Sequence, residues 1–276
     1  MSKPVLEAAS VVVFNHLEQI LFVRRPKSSK AWANMMVFPG GKVDACDNSD
    51  DPSPVPHVPI RFFNAAIREL FEEVDVSLTE PPLWDILSQT KRREWRHKII
   101  HEKIGFDHLL RSKRVLPSHE KLLPFSQVIT PEGSPHRFDT WFFLTHLTSP
   151  DEATLVETNG SELEECLWLT PQDALNGYAD GAFAFATPQL YLLHEFQQYG
   201  SLPALWEGAR SLAQTPRPAM LPQRLPPSTE FPGVFTVFPG DPLYQPTSSV
   251  TFPHRMHLHP TDPSKSTFLL PHLVQP

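Results

Sequence analysis

Two linked stretches constrain this chain most: Phe38-Pro39-Gly40-Gly41 and, further along, Arg68-Glu69-Leu70-Phe71-Glu72-Glu73. The first ends a short apolar run with two residues that tolerate positive φ and let a ligand approach the backbone closely. The second reads as helix. It puts Glu69, Glu72 and Glu73 on one side, because residues three and four apart are neighbours, and like charges there are mildly destabilising unless neutralised. Hard divalent ions take carboxylate oxygens and leave positions for water and phosphate. The pattern predicts a strand, a tight bend and a helix that together build a metal-dependent site for a phosphate-bearing substrate.

The 276 residues suit one large domain, or one domain with an appendage, and a hydrophobic content of 40% can build a sizeable core. A net charge of −7 argues against a broad nucleic-acid surface. Cys46 and Cys166 are the only cysteines, which argues for a reduced compartment and against a disulfide scaffold. No apolar run approaches the ~18 residues of a membrane span. Met1 to Ser10 has no secretory pattern, and Val274-Gln275-Pro276 is not a Ser-Lys-Leu type peroxisomal signal. The expectation is a soluble intracellular protein, cytoplasmic by default, monomeric or homodimeric, with no nucleic-acid or membrane partner.

Ala9 to Phe14 and Gln19 to Arg24 are β-branched or apolar runs around a turn at His16-Leu17-Glu18, so they predict a hairpin or two consecutive strands. Met35 to Phe38 is a short third strand. Asp44 to Pro59, with Pro52, Pro54, Pro56 and Pro59 among its aspartates, reads as a long surface loop. Asn64 to Val74 is a helix with an apolar stripe of Ala65, Ala66, Leu70 and Val74 and with Asn64 as its N-cap. Lys91 to Leu123 is basic with helically spaced apolar residues and an interruption at Gly105. Leu123 to Thr130, Asp139 to His146 and Cys166 to Leu169 have strand composition. Thr170-Pro171 opens a helix, and Pro188 to Tyr199 is another. Of 31 prolines, 15 lie from Pro203 onward, so the tail cannot be mainly helical. Its apolar pieces, Gly233 to Phe238 and Arg255 to His259, read as extended structure wrapping the domain. Strands in mixed order around a central helix predict an α/β (α+β) layered sandwich.

With Gly41, Asp47, Arg68, Glu69, Glu72 and Glu73 in view, the chain resembles the Nudix hydrolases. Their signature is a glycine, five residues, an acid, seven residues, then Arg-Glu-hydrophobic-x-Glu-Glu-x-Gly-hydrophobic. Three departures stand out. The acid is Asp47 rather than Glu. Asp75 stands where the family has glycine, so the helix must end in a left-handed residue without glycine's ease, and Asp is among the better substitutes. Finally, 20 residues separate Asp47 from Arg68 where the family has seven; a bulging loop costs little closure entropy. This insertion, Ile129-Thr130-Pro131 with Arg137-Phe138-Asp139-Thr140, the Trp168-x-Thr170-Pro171 segment, and Phe238-Pro239-Gly240-Asp241 resemble the peroxisomal coenzyme A diphosphatase branch.

The resemblance implies a Nudix fold, an α/β/α sandwich around a mixed sheet. Residues 1–202 would form the domain, with a box insertion at 48–63 and a helical insertion at about 91–123; residues 203–276 would pack on it as a proline-rich extension. It implies hydrolysis of a nucleoside-diphosphate-linked substrate with Mg²⁺ or Mn²⁺. Coenzyme A or its acyl esters are favoured, giving 3′,5′-ADP and (acyl-)phosphopantetheine. ADP-ribose, NADH or dinucleoside polyphosphates are alternatives, as is a Nudix-fold binding or regulatory module. Glu69, Glu72 and Glu73, with a backbone carbonyl near Gly41, would hold the metal. Arg68 would orient Glu69 or Asp47, and Glu162, over Glu164 and Glu165, would complete the site. Gly40, Gly41, Arg24 and Arg25 would meet the substrate. The run Lys91, Arg92, Arg93, Arg96 and Lys98 reads as a solvated face, with a cap over a ligand phosphate as the alternative. No histidine spacing suits zinc, and Cys46 lacks a nearby base.

Overall fold

In a computed structural model describing residues 4–29, 32–159, 163–227, 229, 233–246 and 252–271, the two N-terminal apolar runs form β1 (Leu6–Phe14) and β2 (Ile20–Arg24). Asn15 makes the turn between them, its side-chain oxygen accepting from the backbone of Leu17 and Gln19. β3 (Met36–Val37) and β4 (Gly40–Lys42) flank Phe38-Pro39. A loop with one 3₁₀ turn, Ala45–Asp47, leads to α1 (Ile60–Val74). Then come β5 (Thr79–Glu80), α2 (Leu83–Ile86), α3 (Gln89–Glu102), α4 (Phe106–Lys113) and β6 (Leu116–Pro117). β7 (Leu123–Ile129), β8 (Phe138–His146), α5 (Pro150–Thr154) and β9 (Glu165–Leu169) return the chain to the sheet. Three helices follow, α6 (Pro171–Ala179), α7 (Thr187–Tyr199) and α8 (Leu202–Gln214), then β10 (Gln223–Leu225), β11 (Val234–Val237), β12 (Arg255–Leu258) and β13 (Thr267–Leu269).

The main sheet is mixed. β1 runs parallel to β8 along its whole length, from Leu6 opposite Phe138 to Phe14 opposite His146. Its other edge is shared between two antiparallel partners: β4 at Ala8–Ser10, and β2 where Phe14 meets Ile20. Between them Val11 N–H donates to the Pro39 carbonyl at 2.8 Å. The sheet therefore splits at Pro39-Gly40. β9 extends the β2 side and β7 the β8 side. Alternate side chains of β1 enter opposite cores, as strand geometry requires. Val11 and Val13 pack with Phe63, Ile67, Leu70 and Phe71 of α1, whereas Val12 and Phe14 pack with Leu190 and Phe196 of α7. Both faces are covered, which is why β1 reads as an unbroken apolar run.

Three local readings need correction. Asn64 is not the N-cap of α1. The helix starts a turn earlier behind Pro59, because Ile60, Phe62 and Phe63 are all buried and Pro59 already holds a φ of −58°. Asn64 instead donates from its side chain to the Asp47 carbonyl at 2.9 Å. The loop before it is also not all surface, since Asp47 and Val58 are buried. The tail after Pro203 likewise begins with a helix the prolines concealed. Ser201 caps α8 by accepting from Ala204 N, and Pro203 sits in the first turn, where its missing N–H costs nothing. Beyond it the tail is extended. Met220 adds to the free edge of β7 through two backbone bonds of 2.8 Å, and β10 to β13 form a four-stranded antiparallel sheet. Among the described residues, no helix is long and apolar enough to cross a membrane.

The basic run does not form a solvated face. Lys91 and Arg93 are exposed, but Arg92 and Arg96 are buried, on the same stripe of α3 as Ile99. They hold the end of α1. Asp75 terminates that helix at φ 59°, ψ 21°, in the left-handed region. Its carboxylate is fully buried and receives Arg92 Nε at 2.9 and 3.0 Å. Burial pushes this carboxyl up to about 6, although Arg92 and Arg96 pull it down. Arg96 donates to the carbonyls of Glu72 (3.0 Å), Glu73 (2.9 Å) and Glu157 (3.1 Å), and pairs with the Glu157 carboxylate. A guanidinium thus satisfies last-turn carbonyls that have no helical partner and complements the negative end of the helix.

The opposing magnitudes decide what Asp75→Gly would do. Glycine relieves about 1 kcal/mol of left-handed strain, but stranding a buried Arg92 without its partner costs about 3–5 kcal/mol. Restoring the family residue should therefore destabilise the protein by roughly 2–4 kcal/mol in urea unfolding. Adding Arg92→Met should recover most of the loss.

Candidate active site

Arg68 is the hub of the site. It is 3% exposed and every arm of its guanidinium is engaged. Nε and Nη2 donate to the two Asp47 oxygens at 2.9 and 2.8 Å, and Nη2 also donates to the Lys42 carbonyl at 2.8 Å. Nη1 donates to Glu69 at 2.9 Å and Glu72 at 3.3 Å. Burial opposes its charge, but the carboxylates of Asp47, Glu69 and Glu72 outweigh it and hold its pKa above the ordinary arginine value. Both carboxylates named as its partners by sequence, Glu69 and Asp47, are therefore engaged at once.

The glycines bring the backbone against the glutamates. Gly40 N–H donates to Glu73 Oε2 at 2.8 Å. Gly40 has φ +147°, and a Cβ there would lie 2.2 Å from the Ala9 carbonyl oxygen. A Cβ on Gly41 would meet the Glu69 carboxylate at 2.3 Å. Glu69 and Glu73 thus face the split in the sheet, opposite Gly40-Gly41. Asp47 closes the far side, accepting from Asp44 N at 2.7 Å. With Asp47 bound to Arg68 and Asn64, both ends of the 20-residue gap are tied and the residues between can bulge outward.

These donors are all hard oxygens, on a helix face pressed against a backbone with no side chain. That chemistry fits Mg²⁺ or Mn²⁺ and not a soft metal. Among the described residues, no three of His, Cys, Asp or Glu already converge as a finished ligand set. Arg68 acts as counter-ion to Glu69 and Glu72. The Cys46 thiol is pushed up by desolvation and by Asp47, the reverse of what a nucleophile needs.

Glu69 and Glu73 lie in the wall of a cavity of about 690 Å³. Gly40, Gly41, Glu69, Glu73 and Arg25 line it. Arg24 does not; it pairs with Glu165 at 2.9 Å. Glu72 has its carboxylate on Arg68, outside the lining. Glu164 is exposed, with its N–H on the Arg24 carbonyl, and Glu162 lies outside the described residues. The remaining walls come from segments whose sequence suggested structure but no role in the site. The start of α7 supplies Gln189, and the C-terminal extension supplies Met220, Arg224, Thr236 and Phe238. The spacing of Thr236 and Phe238 at i and i+2 in an apolar piece was the available signal that one strand face looks at one surface.

The two glycines should respond differently to alanine. Gly40→Ala meets backbone and should prevent folding or lower the melting temperature severely. Gly41→Ala meets only the end of the Glu69 side chain, so it should keep a nearly native melting temperature while displacing that carboxylate.

A family model described as the NUDT19 Nudix domain matches residues 51–196, a span that holds the α1 glutamates and begins after the glycines. The putative nudix hydrolase 7 of Caenorhabditis elegans is 27% identical over 265 residues, covering 93% of this chain and 82% of that protein. Acyl-coenzyme A diphosphatase NUDT19 of Gallus gallus is 25% identical over 280 residues, covering 82% of this chain and 72% of that protein. The crystal structure of a NUDIX hydrolase from Alicyclobacillus acidocaldarius aligns with a TM-score of 0.56 at 22% identity, over 70% of this chain and 91% of that one, a likeness of fold. The chain belongs to the NUDT19 Nudix domain family and is a Nudix hydrolase.

Proposed function

We propose that the chain cleaves the diphosphate of coenzyme A or its acyl esters, giving 3′,5′-ADP and (acyl-)phosphopantetheine. The observation that carries this reading is that Glu69 and Glu73, set against Gly40-Gly41, line a cavity of about 690 Å³. That volume lies well inside the range that encloses nucleotide-sized ligands. The named activity of the Gallus gallus relative supports the choice of substrate.

Glu69, Glu72 and Glu73, with the carbonyl at Gly41, would hold Mg²⁺ or Mn²⁺. When bound, such an ion neutralises the diphosphate and lowers the pKa of the water that attacks phosphorus. Arg68 holds Glu69 and Glu72 on one turn of α1, and Glu72 would turn from it toward the cavity to join the set. Gly40 N–H holds Glu73 in the same way. Arg25 and Lys42 put positive charge on the lining, where phosphate oxygens would lie. Gly40 and Gly41 let the diphosphate approach the main chain. Arg24 would support this edge through its pair with Glu165, and Glu162 is proposed as the acid that completes the set.

The test is product analysis with coenzyme A, acetyl-coenzyme A, ADP-ribose and NADH, with Mg²⁺, Mn²⁺ or EDTA. We expect 3′,5′-ADP from coenzyme A, metal-dependent. Glu69→Gln, Glu72→Gln and Glu73→Gln should each lower kcat/KM by at least about 100-fold, since groups that merely orient metal ligands already cost 10–100-fold. Gly41→Ala should lose activity while remaining folded. A large preference for ADP-ribose would reject coenzyme A as substrate, and turnover in EDTA would reject the metal chemistry.

A further inference from the structure

The deep half of the cavity carries an unexplained pair of polar atoms. Gln189 of α7 is 8% exposed and Thr236 of β11 is 2% exposed, and both line the cavity. Gln189 Oε1 and Thr236 Oγ1 are buried with no hydrogen-bond partner. A buried polar group left unmatched costs stability, so an orphan in a ligand cavity points to a ligand that completes it. The buried part of the same lining includes apolar side chains: Val128 and Phe142 from the sheet, Met220 and Phe238 from the extension. The rim is different. Trp32 is 39% exposed with its ring 5.3 Å from that of Phe138, and Arg224 and His136 are exposed there.

We infer that the deep half of the cavity, closed by the C-terminal extension, binds the amide-bearing arm of the substrate, and that Gln189 and Thr236 are the residues that read it. This rests on the coenzyme A reading above. An orphaned carbonyl oxygen requires an N–H, and a threonine hydroxyl can supply an O–H. A secondary amide presents that complement, one N–H and one C=O. Apolar walls on either side accept the methylene and methyl groups between successive amides. The nucleotide end, flat and anionic, suits the rim, where Trp32 offers a ring face and Arg224 a charge. The extension is then a specificity element: it supplies Thr236 and closes the apolar sleeve, while cleavage is left to the α1 glutamates.

The experiment measures the affinity of the whole chain for the two product halves by calorimetry, alongside kcat/KM for coenzyme A. The variants are Thr236→Val, Gln189→Leu and, as a rescue, Thr236→Ser. Removing a hydroxyl that has no partner should leave the melting temperature of the ligand-free chain unchanged or slightly raised. Thr236→Val and Gln189→Leu should each weaken 4′-phosphopantetheine binding and lower kcat/KM by about tenfold, leave 3′,5′-ADP binding unchanged, and lose nothing in Thr236→Ser. Equal losses for 3′,5′-ADP would assign the pair to the nucleotide and overturn the inference. Unchanged binding of both halves would overturn it as well. A wild type that binds 3′,5′-ADP but neither binds 4′-phosphopantetheine nor cleaves coenzyme A would sink the substrate reading itself, and this inference with it.

Discussion

The buried guanidinium of Arg68 is the interaction on which the rest of the structure depends. One side chain joins a strand (through the Lys42 carbonyl), a loop (through Asp47) and a helix (through Glu69 and Glu72). Taking a cation out of water is expensive, and the expense is offset only when several charge-assisted bonds are made in good geometry. Arg68 meets that condition with the two oxygens of Asp47 alone. Its remaining reach then fixes two glutamates that would otherwise repel each other. A second buried guanidinium, Arg96, acts on the same turn from behind, through the main-chain carbonyls of Glu72 and Glu73. The glutamate turn is held by its side chains on one face and by its backbone on the other.

This arrangement explains how the chain tolerates its long insertion. Asp47 and Asn64 tie the loop down at both ends, so the residues between them are free of the geometry of the site. The α3 segment is not a passenger either. It delivers Arg92 and Arg96, and Arg92 makes Asp75 acceptable where the family has glycine. The left-handed turn is strained for any residue with a side chain, but here that side chain neutralises a buried cation. The C-terminal extension has a third role, as part of the cavity wall, and it is tied together internally by Asp241, whose buried carboxylate accepts both Arg255 and the His254 N–H.

Much of the fold was legible because it rests on local patterns: the paired β-branched runs, the glutamate spacing, the proline-threonine helix start, and the left-handed Asp75. What could not be read depended on partners distant in sequence. Arg92 and Arg96 resemble a solvated charge run until one sees that they share a stripe with Ile99 and meet helix-end carbonyls. Pro203 resembles a helix breaker until Ser201 is recognised as the cap that puts it in the first turn. Asn64 resembles a cap because the burial of Ile60 and Phe63, which starts the helix earlier, belongs to packing and not to local preference. Thr236 and Gln189 lie 47 positions apart, and only the folded chain sets them in one cavity. The acids after the helix illustrate the same limit, since Glu165 is turned to Arg24.

The carboxylates around Arg68 and Gly40-Gly41 are proposed to form one divalent-cation site serving diphosphate cleavage. Titrating Mn²⁺ into the folded chain, with free Mn²⁺ followed by electron paramagnetic resonance, tests this in wild type, Glu69→Gln and Glu73→Gln. Wild type should bind Mn²⁺ saturably, and both variants should lose that binding while their melting temperatures stay close to wild type. Equal Mn²⁺ uptake in all three proteins would contradict it.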